Sequence, residues 1–312
     1  MSIPNKTSGA YLVSVDSDRA GQRLDNFLSA RLKGVPKSAV YRMIRTGQVR
    51  INGGRCKAAT RLEEGDEVRV PPAKTREAGE FVVSDRVRQQ LADATLYEDR
   101  DLLVINKPSG MAVHAGSGLP WGVIDAIRQS RPEEFFELVH RLDRETSGCL
   151  VLARNGPALH HLSGQFRDGR VDKRYLCLMN GQMPEAVIDV YAPLRKVQAG
   201  GQRVVEVSDD GKPSHTRFHL LQAHRDCSYS EVELFTGRTH QIRAHAKYLG
   251  LPLAGDDRYG NSKVNKEWKR RGLKRVFLHA HRLELEAPSG KNLSVDAPLP
   301  TELRKILDGL EL

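Results

Sequence analysis

A single carboxylate, Asp143, stands in a charged stretch of the sequence with Arg141 and Arg144 on either side. Neighbouring cations favour the ionised form of a carboxylate, so we expect Asp143 to be an anion at neutral pH. An ionised carboxylate can act as a nucleophile or stabilise a developing positive charge, but it cannot serve as a general acid. The alternative is that Asp143 closes a surface turn and that both arginines face water.

The segments on both sides of this stretch indicate the structure that holds it. Residues 135–139 read Phe-Phe-Glu-Leu-Val, and residues 149–153 read Cys-Leu-Val-Leu-Ala. Short apolar runs with β-branched members predict buried strands. The charged stretch is therefore a predicted loop between two buried strands, which is a common location for reactive groups on a rigid scaffold.

A second candidate lies in a predicted turn. Residues 106–110 read Asn-Lys-Pro-Ser-Gly and follow the apolar run 102–105. Pro108 and Gly110 predict a fixed turn that presents Lys107. The alternative is a purely structural turn that ends a strand.

A third group follows another predicted strand, where Gly237–His245 reads GRTHQIRAH. We predict a helix that starts just after the first residue of this stretch and ends at Gly250. Helical spacing would place Arg238, Ile242 and His245 on one face.

Four of the 11 histidines could suggest a metal site. Their spacing matches neither the HExxH pattern nor a site shared with cysteine, so we predict no bound metal. The four cysteines are scattered without a CxxC pair, which fits a reducing cytosol. These residues are His240, His245, His279 and His281, and Cys56, Cys149, Cys177 and Cys227.

The overall charge favours a polyanionic partner. Forty-nine Lys and Arg against 39 Asp and Glu give a net charge of +10, which favours nucleic acid over an anionic membrane surface. No apolar run approaches the ~18 residues that a membrane-spanning helix needs. The first residues carry no apolar signal core, so we expect a cytoplasmic protein.

The N-terminal part of the sequence predicts a small domain of two helices and a short sheet. Apolar residues recur at helical spacing in both helices, and the second carries basic residues on its other face. Asn52-Gly53 is a strong signal for a tight turn. The inward residues are Leu24, Phe27, Leu28 and Leu32 in the first helix and Val40, Met43 and Ile44 in the second, whose outward residues are Lys37, Arg42 and Arg45.

Composition also suggests where the domains begin and end. We assign residues 1–20 to a polar leader, 21–72 to the small N-terminal domain, 73–85 to a linker and 86–312 to the second domain. The linker assignment rests on a charged stretch that starts at a Pro-Pro pair.

Several motifs together resemble the RluA-type pseudouridine synthases. His140–Gly148 reads HRLDRETSG and resembles the catalytic signature of that family. The NKPSG turn, the Lys-x-Tyr that ends at Tyr175 and the GRTHQIRAH stretch follow the family's order. GDDRYG (255–260) and FLHAHRL (277–283) extend the match. The N-terminal domain resembles an S4 RNA-binding domain.

The resemblance implies an α+β fold in which an S4 domain precedes a mixed, largely antiparallel sheet with flanking helices. It implies isomerisation of selected uridines to pseudouridine in large-subunit ribosomal RNA, without metal or other cofactor, by a monomer. Asp143 would be the catalytic carboxylate, Arg243 would pair with it, and Tyr175 would pack on the base. The residues expected to contact RNA are Arg141, Arg144, Lys107, His140, Arg238, Arg23, Lys37, Arg42 and Arg45.

Other functions remain open at this point. A non-catalytic RNA-binding or ribosome-assembly protein would explain the S4-like domain and the charge, but not Asp143, Tyr175 and Arg243. A nucleoside hydrolase would use the carboxylate but has no need of an S4 domain. A synthase that modifies transfer RNA would share every motif.

Overall fold

The computed structural model describes residues 9–32, 35, 37–72, 82–116, 119–199 and 202–310. The chain divides into two compact units. The first comprises Met1–Val83 with Asn155–His160, and the second comprises Ser84–Arg154 with His161–Leu312. The division after Val83 falls within the predicted linker 73–85, of which residues 73–81 lie outside the described part.

The first unit packs two helices on a three-stranded antiparallel sheet of order β1-β3-β2. Its buried core contains Leu24, Phe27 and Leu28 from α1 and Val40 and Ile44 from α2, as their spacing predicted. The elements are β1 (Tyr11–Ser14), a 3-10 helix (Ser17–Arg19), α1 (Leu24–Arg31), α2 (Lys37–Arg45), β2 (Arg50–Ile51) and β3 (Glu67–Val70).

Two details of this unit differ from the sequence-based expectation. The predicted polar leader, residues 1–20, is too long, because Tyr11–Ser14 forms the strand β1 and pairs with β3. The Asn52-Gly53 turn forms, and both residues adopt positive φ (49° and 76°). Across the turn, Ile51 and Gly54 form an isolated antiparallel bridge, but the strand that pairs with β2 is β3.

The second unit is built on one large sheet with helices around it. Its elements are α3 (Asp85–Asp93), β4 (Thr95–Glu98), β5 (Leu102–Lys107), α4 (Val123–Ser130), β6 (Glu137–Leu138), β7 (Ser147–Ala153), α5 (Gly156–Asp168, of which the residues up to His160 belong to the first unit), β8 (Asp172–Asn180), β9 (Val187–Tyr191), β10 (Leu194–Ala199), β11 (Gln202–Val207), β12 (His215–Ala223), β13 (Cys227–Leu234), α6 (Gln241–Tyr248), α7 (Ser262–Arg270), β14 (Leu278–Glu286), β15 (Asn292–Asp296) and α8 (Thr301–Asp308).

The large sheet has ten strands in the order β4-β5-β7-β14-β8-β13-β12-β9, with β6 beside β7 and β15 beside β14. β7 and β14 are parallel, whereas the other described pairings in this sheet are antiparallel. The predicted α+β class with a mixed, largely antiparallel sheet is therefore confirmed. Every residue of β7 is buried, which explains its continuous apolar sequence.

Gly148 allows the central strands β7 and β14 to approach each other. It has a φ of 113°, and a Cβ atom at this position would lie 2.2 Å from the carbonyl oxygen of Ala280. Only glycine tolerates both the backbone conformation and the close contact. The residue therefore fixes the start of β7, directly after the loop that carries Asp143.

Helix α6 begins later than predicted. His240 adopts a left-handed conformation (φ 52°), and the helix starts at Gln241. The carboxamide oxygen of Gln241 accepts the N–H of Arg238 at 3.0 Å, so Arg238 lies in the turn before the helix. The prediction that Arg238 shares a helix face with Ile242 and His245 was wrong. Within the described ranges, no helix combines the length and the apolar character needed to cross a membrane.

Candidate active site

A cavity of about 380 Å³ brings Asp143, Tyr175 and Arg243 together. This volume falls in the range of about 300–1,000 Å³ that is typical of small-molecule sites. The remaining lining comes from the Asp143 loop, α5, β8 and the turn before α6: Val139, His140, Arg141, Leu142, Thr146, Ser163, Phe166, Arg167, Lys173, Leu234, Gly237, Arg238, Thr239, His240, Gln241, Ile242 and Leu278.

The loop between β6 and β7 presents Asp143 to this cavity. Leu142 is 4% exposed and anchors the loop in the core, whereas the side chain of Asp143 is 19% exposed. The backbone carbonyl of Asp143 accepts the N–H of Thr146 at 3.1 Å, which closes a tight turn just before β7. The carboxylate therefore stands at the cavity wall on a constrained backbone.

The NKPSG turn holds this loop from the other side. The hydroxyl of Ser109 donates to the carbonyl of Glu145 at 2.7 Å, and the N–H of Gly110 donates to the carbonyl of Arg144 at 2.8 Å. Arg275 adds a guanidinium contact to the same Glu145 carbonyl at 3.3 Å. These bonds fix the backbone after Asp143, which a catalytic group requires for a defined geometry.

Arg243 connects Asp143 to a second, fully buried carboxylate. Its Nε and Nη2 atoms donate to the two oxygens of Asp256 at 2.7 and 2.8 Å, and its Nη1 atom lies 3.4 Å from Oδ2 of Asp143. The predicted pair of Arg243 with Asp143 is present, but the two-pronged contact goes to Asp256. A bidentate contact is the more specific geometry for a guanidinium, so Asp256 determines where Nη1 points.

The electrostatics of this site favour a charged Arg243 and a charged Asp256. Burial alone would lower the pKa of Arg243, but the hydrogen bonds and charge of Asp256, together with Asp143, raise it overall. Burial alone would likewise raise the pKa of Asp256, but the bonds from Arg243 and from backbone N–H groups lower it. Arg243 is therefore a permanent cation beside Asp143.

His240 is a further neighbour of Asp143. Its Nε2 atom lies 3.8 Å from Oδ2 of Asp143, and its Nδ1 atom lies 2.8 Å from the hydroxyl of Tyr259. Burial lowers the pKa of His240 to about 4, although the charge of Asp143 opposes this. The Tyr259 hydroxyl accepts the N–H of Val205, so its own proton is available to Nδ1. Nε2 also lies 3.5 Å from the Nη1 atom of Arg258.

Tyr175 lies on β8 and is 8% exposed. Burial, with the charge of Asp143, raises the pKa of its hydroxyl, so the phenol is neutral at physiological pH. Nearby, the rings of His140 and Phe166 stack at 4.5 Å with an interplanar angle of 11°. These rings give one side of the cavity an apolar, aromatic character beside the charged Asp143.

Comparisons with known proteins identify the family of this chain. The sequence model described as RNA pseudouridylate synthase matches residues 101–248, and that of the S4 domain matches residues 22–68. Ribosomal large subunit pseudouridine synthase C of Escherichia coli (strain K12) is 46% identical over 99% of both chains. This chain belongs to the RNA pseudouridylate synthase family. It is an RNA pseudouridine synthase, an isomerase, with an S4 RNA-binding domain.

Further relatives support the family and the fold. The Yersinia pestis protein of the same name is 48% identical over 95% of this chain and 94% of its own length. Among solved structures, Human RNA Pseudouridylate Synthase Domain Containing 4 has a TM-score of 0.60 and 25% identity, and the match covers 73% of this chain and 97% of that one.

The position of Lys107 in this synthase contradicts its predicted role in RNA binding. Its side chain is 0% exposed. Its Nζ atom donates to the carbonyls of Pro108, Met111 and Arg144 at 2.8, 2.9 and 3.2 Å. Burial lowers the pKa of Lys107 to about 7, whereas three carbonyl acceptors favour the ammonium, the form with three N–H donors. The turn therefore folds Lys107 inward, where it ties the turn to the Asp143 loop.

We expect Lys107→Met to lower the free energy of unfolding by about 1–3 kcal/mol, because three buried carbonyls lose a donor. Turnover should also fall, since the Asp143 loop loses one of its anchors, but the apparent KM for RNA should change little. The measurements are urea unfolding and single-turnover kinetics. Lys291→Met, at an exposed lysine of the same unit, is the control. A raised KM with unchanged stability would restore the RNA-binding role.

The other predicted RNA contacts of this unit differ in their surroundings. Arg141 and Arg238 are exposed and line the cavity. Arg144 is exposed, but its Nε atom donates to the carbonyl of Gly110 at 2.9 Å. His140 accepts the N–H of Val151 through Nε2 at 3.0 Å, and burial lowers its pKa to about 3. His140 is therefore uncharged and cannot bind phosphate as a cation.

Among the predicted contacts of the S4 domain, Arg42 and Arg45 are exposed on α2. Arg23 instead binds the carboxylate of Asp25 through Nε and Nη2 at 3.0 and 2.7 Å, which occupies two of its five N–H donors. The side chain of Lys37 lies outside the described part. RNA contact by Arg42 and Arg45 remains a prediction.

Sequence reasoning assigned no role to Asp256, Tyr259 or His240. All three lie in segments noted only as motifs, GDDRYG and GRTHQIRAH. The available signal was an acidic residue in a Gly-bounded turn soon after Arg243, which could have been tested as its partner. As for metal, no group of three or more candidate ligands occurs in the described ranges. His245 and His279, two of the histidines considered, are buried and hydrogen-bonded to protein atoms.

Proposed function

We propose that this synthase converts selected uridines of large-subunit ribosomal RNA to pseudouridine, as a cytoplasmic monomer that uses no metal or organic cofactor. The observation that carries the proposal is the cavity in which an anionic carboxylate, Asp143, stands beside the neutral phenol of Tyr175 and the cation of Arg243. The names of the E. coli and Y. pestis relatives and the net charge of +10 support a ribosomal RNA substrate.

The chemistry requires one bond to break and another to form at the same sugar carbon. The N1–C1′ bond of uridine breaks, the uracil turns within the cavity, and a C5–C1′ bond forms. The C5 proton then leaves while N1 gains a proton, so the product is an isomer of the substrate. Positive charge develops on the sugar, and Asp143 can stabilise it or trap it covalently. Attack at C1′ and removal of a sugar proton are the two routes for this carboxylate.

The neighbours of Asp143 support these steps in different ways. Arg243 places a positive charge 3.4 Å from Oδ2 of the carboxylate, and the ring of His240 lies beside the same oxygen. Tyr175 is placed to pack on the base; its raised pKa makes a phenolate base scarce at neutral pH. Exclusion of water matters because a water molecule at C1′ would turn isomerisation into hydrolysis. The aromatic wall of His140 and Phe166 contributes to that exclusion.

In this proposal, RNA affinity comes largely from basic side chains that take no part in the reaction. Arg42 and Arg45 of the S4 domain would contact phosphates, and Arg238 would do so at the rim of the cavity. Such contacts release counterions, so affinity should fall steeply as salt rises.

The direct test is to incubate unmodified large-subunit ribosomal RNA with the protein and to map pseudouridine by carbodiimide-dependent reverse-transcription stops. New stops with the wild-type protein, absent with Asp143→Asn, would support the proposal. Transfer RNA transcripts serve as the comparison substrate. Modification of transfer RNA alone would show that the substrate is transfer RNA and not ribosomal RNA. Release of free uracil would indicate a hydrolase.

Arg141 is proposed to fill the gap in the base stack when the target uridine leaves it. Arg141 is exposed at the cavity rim, two positions before Asp143. Without it, unstacking would again cost a few kcal/mol, and that cost is smallest for an unstructured strand. We therefore expect Arg141→Ala to lose at least ~10-fold more single-turnover activity on a structured ribosomal RNA fragment than on a short unstructured strand with the same uridine.

Arg144→Ala is the matched control, because it removes the same charge from the same loop. It should affect the two substrates equally, since Arg144 is bonded to Gly110 and is not proposed to enter the stack. Equal losses on both substrates for Arg141→Ala would assign Arg141 a purely electrostatic role.

A further inference from the structure

Three rings form a continuous stack on the outer face of the large sheet. The rings of Tyr191 and His215 lie 4.0 Å apart with an interplanar angle of 15°, and those of His215 and Phe235 lie 4.0 Å apart with an angle of 3°. We call this row of three rings the aromatic ladder. None of its members belongs to the site described above.

Strand register produces the ladder. Tyr191 on β9 pairs with His215 on β12, and Thr216 pairs with Leu234 at the end of β13. The next position in that register sets His215 opposite Phe235. Neighbouring strands lie ~4.8 Å apart, so directly opposed flat rings come into stacking contact.

The ladder lies on the solvent-exposed face of the sheet. Tyr191 and Phe235 are 71% and 37% exposed, whereas Val190, Thr216 and Leu234 on the opposite face are 3%, 0% and 8% exposed. β9 is the last strand of this sheet in the described part of the chain, and most of the Tyr191 side chain is open to solvent.

The charged groups beside the ladder are paired with one another. Asp189 lies 2.6 Å from the ring of His215 and 3.0 Å from the guanidinium of Arg217. Arg217 also lies over the ring of Phe235, at 5.5 Å, and 3.7 Å from Glu233. Arg217 therefore partly covers the Phe235 end, and Tyr191 is the open end of the stack.

The ladder is joined to the catalytic cavity through Thr236 and Gln241. The Thr236 hydroxyl accepts the N–H of His215 at 3.1 Å and donates to Gln241 at 2.8 Å. The Gln241 carboxamide donates back to the carbonyl of His215 at 2.9 Å. Gln241 and Arg238 line the cavity, and Phe235 is only three positions before Arg238. The Phe235 end of the ladder is therefore connected to the cavity lining by hydrogen bonds and by a short stretch of backbone.

We propose that the aromatic ladder is a stacking platform for an unpaired RNA base near the target uridine, and that this base caps the outer face of Tyr191. Every nucleobase has a face that can stack on an aromatic ring, so the platform contributes affinity with little sequence preference. The stacked His215 and Phe235 hold Tyr191 in a fixed orientation, which lowers the conformational entropy lost on binding. The proposal deepens the proposed function, on which it rests for its RNA substrate.

The test uses the full chain and a structured large-subunit ribosomal RNA fragment that the wild-type protein modifies. We expect Tyr191→Leu to raise the RNA concentration at half-maximal single-turnover rate by about 5- to 150-fold, the range for loss of one base–aromatic stack. The maximal rate should stay within about twofold, because Tyr191 does not line the cavity. Tyr191→Phe should retain wild-type affinity, since it keeps the ring. Tyr248→Leu, at another exposed tyrosine of the same unit (60% exposed), is the matched control.

Abasic substitutions, made one at a time around the target uridine, then identify the stacked nucleotide. At that position the Leu variant and the wild-type protein should bind equally, because the base is already missing. Wild-type affinity of Tyr191→Leu, or an equal loss with Tyr248→Leu, would overturn the platform. Failure of the proposed substrate is distinguishable, because the wild-type protein would then form no pseudouridine; equilibrium binding of the same fragment to the same variants would still decide the platform.

Discussion

Asp143→Asn is expected to reduce pseudouridine formation by ~10³-fold or more while RNA affinity and the free energy of unfolding stay close to wild-type values. Asn is nearly isosteric with Asp, so the turn closed by Thr146 should persist. The amide, however, carries no negative charge for the sugar and is a poor nucleophile. Single-turnover pseudouridine formation on a ribosomal RNA fragment measures the loss of activity. Filter binding measures RNA affinity, and urea unfolding measures the free energy of unfolding.

Asp168→Asn is the control for this substitution. It removes a partly exposed carboxylate of the same unit, paired with Arg167 and Arg170 at the surface, and should leave turnover unchanged. If Asp143→Asn retained more than a few per cent of wild-type turnover, the chemistry would have to reside in another group. A parallel loss of RNA binding would instead indicate a role in substrate recognition.

The position of Asp143 could be predicted because the strand after it carries an unambiguous pattern. A continuous apolar run such as Cys149–Ala153 is best explained by a buried strand. A charged loop directly before such a strand is expected either at a functional site or at the protein surface. The S4 domain was equally accessible, since its core residues recur at regular helical spacing. Only its first strand, Tyr11–Ser14, was missed, because four residues of mixed polarity give a weak strand signal.

Other features depend on tertiary structure that local patterns do not encode. The NKPSG motif predicted a turn correctly, but the direction in which Lys107 points depends on carbonyls contributed by Met111 and by the distant Arg144. The start of α6 depends on a positive φ at His240, a conformation that a non-glycine residue rarely adopts. A sequence predicts such a residue poorly, because the surrounding contacts impose the conformation.

The carboxylate behind Arg243 is the clearest case of this kind. The family resemblance implied Asp143 as the partner of Arg243. Two carboxylates compete for one guanidinium, and the structure gives the two-pronged contact to Asp256, which is 0% exposed. A fully buried carboxylate is costly unless a charged partner binds it with good geometry. A carboxylate at a cavity wall is partly solvated and needs such a partner less.

Because Asp256 takes the bidentate contact of Arg243, the substitution Asp256→Asn should strongly affect both stability and turnover. An amide keeps the shape of the carboxylate but turns an N–H₂ group towards the donors of Arg243, so one of the two hydrogen bonds is lost. Removing one partner of a buried ion pair typically lowers the free energy of unfolding by about 3–5 kcal/mol. Without the bidentate contact to residue 256, Arg243 would move towards Asp143. Such a displacement beside a catalytic carboxylate can reduce turnover ~10²-fold. Asp257→Asn, at the exposed neighbour that pairs with Lys269, should change neither quantity by much.

The pH dependence separates loss of this charge from a general defect. Folding lowers the pKa of Asp256, so its contribution to stability is fully present above the unfolded-state value of ~3.9 and is lost as pH falls through the lower folded-state value. Urea unfolding should therefore show a stability gap between wild type and Asp256→Asn that is constant from pH 7 to about pH 5 and narrows towards pH 3. A gap independent of pH would mean that the ionised carboxylate is not what stabilises the fold there, and that Arg243 takes its orientation from Asp143 after all.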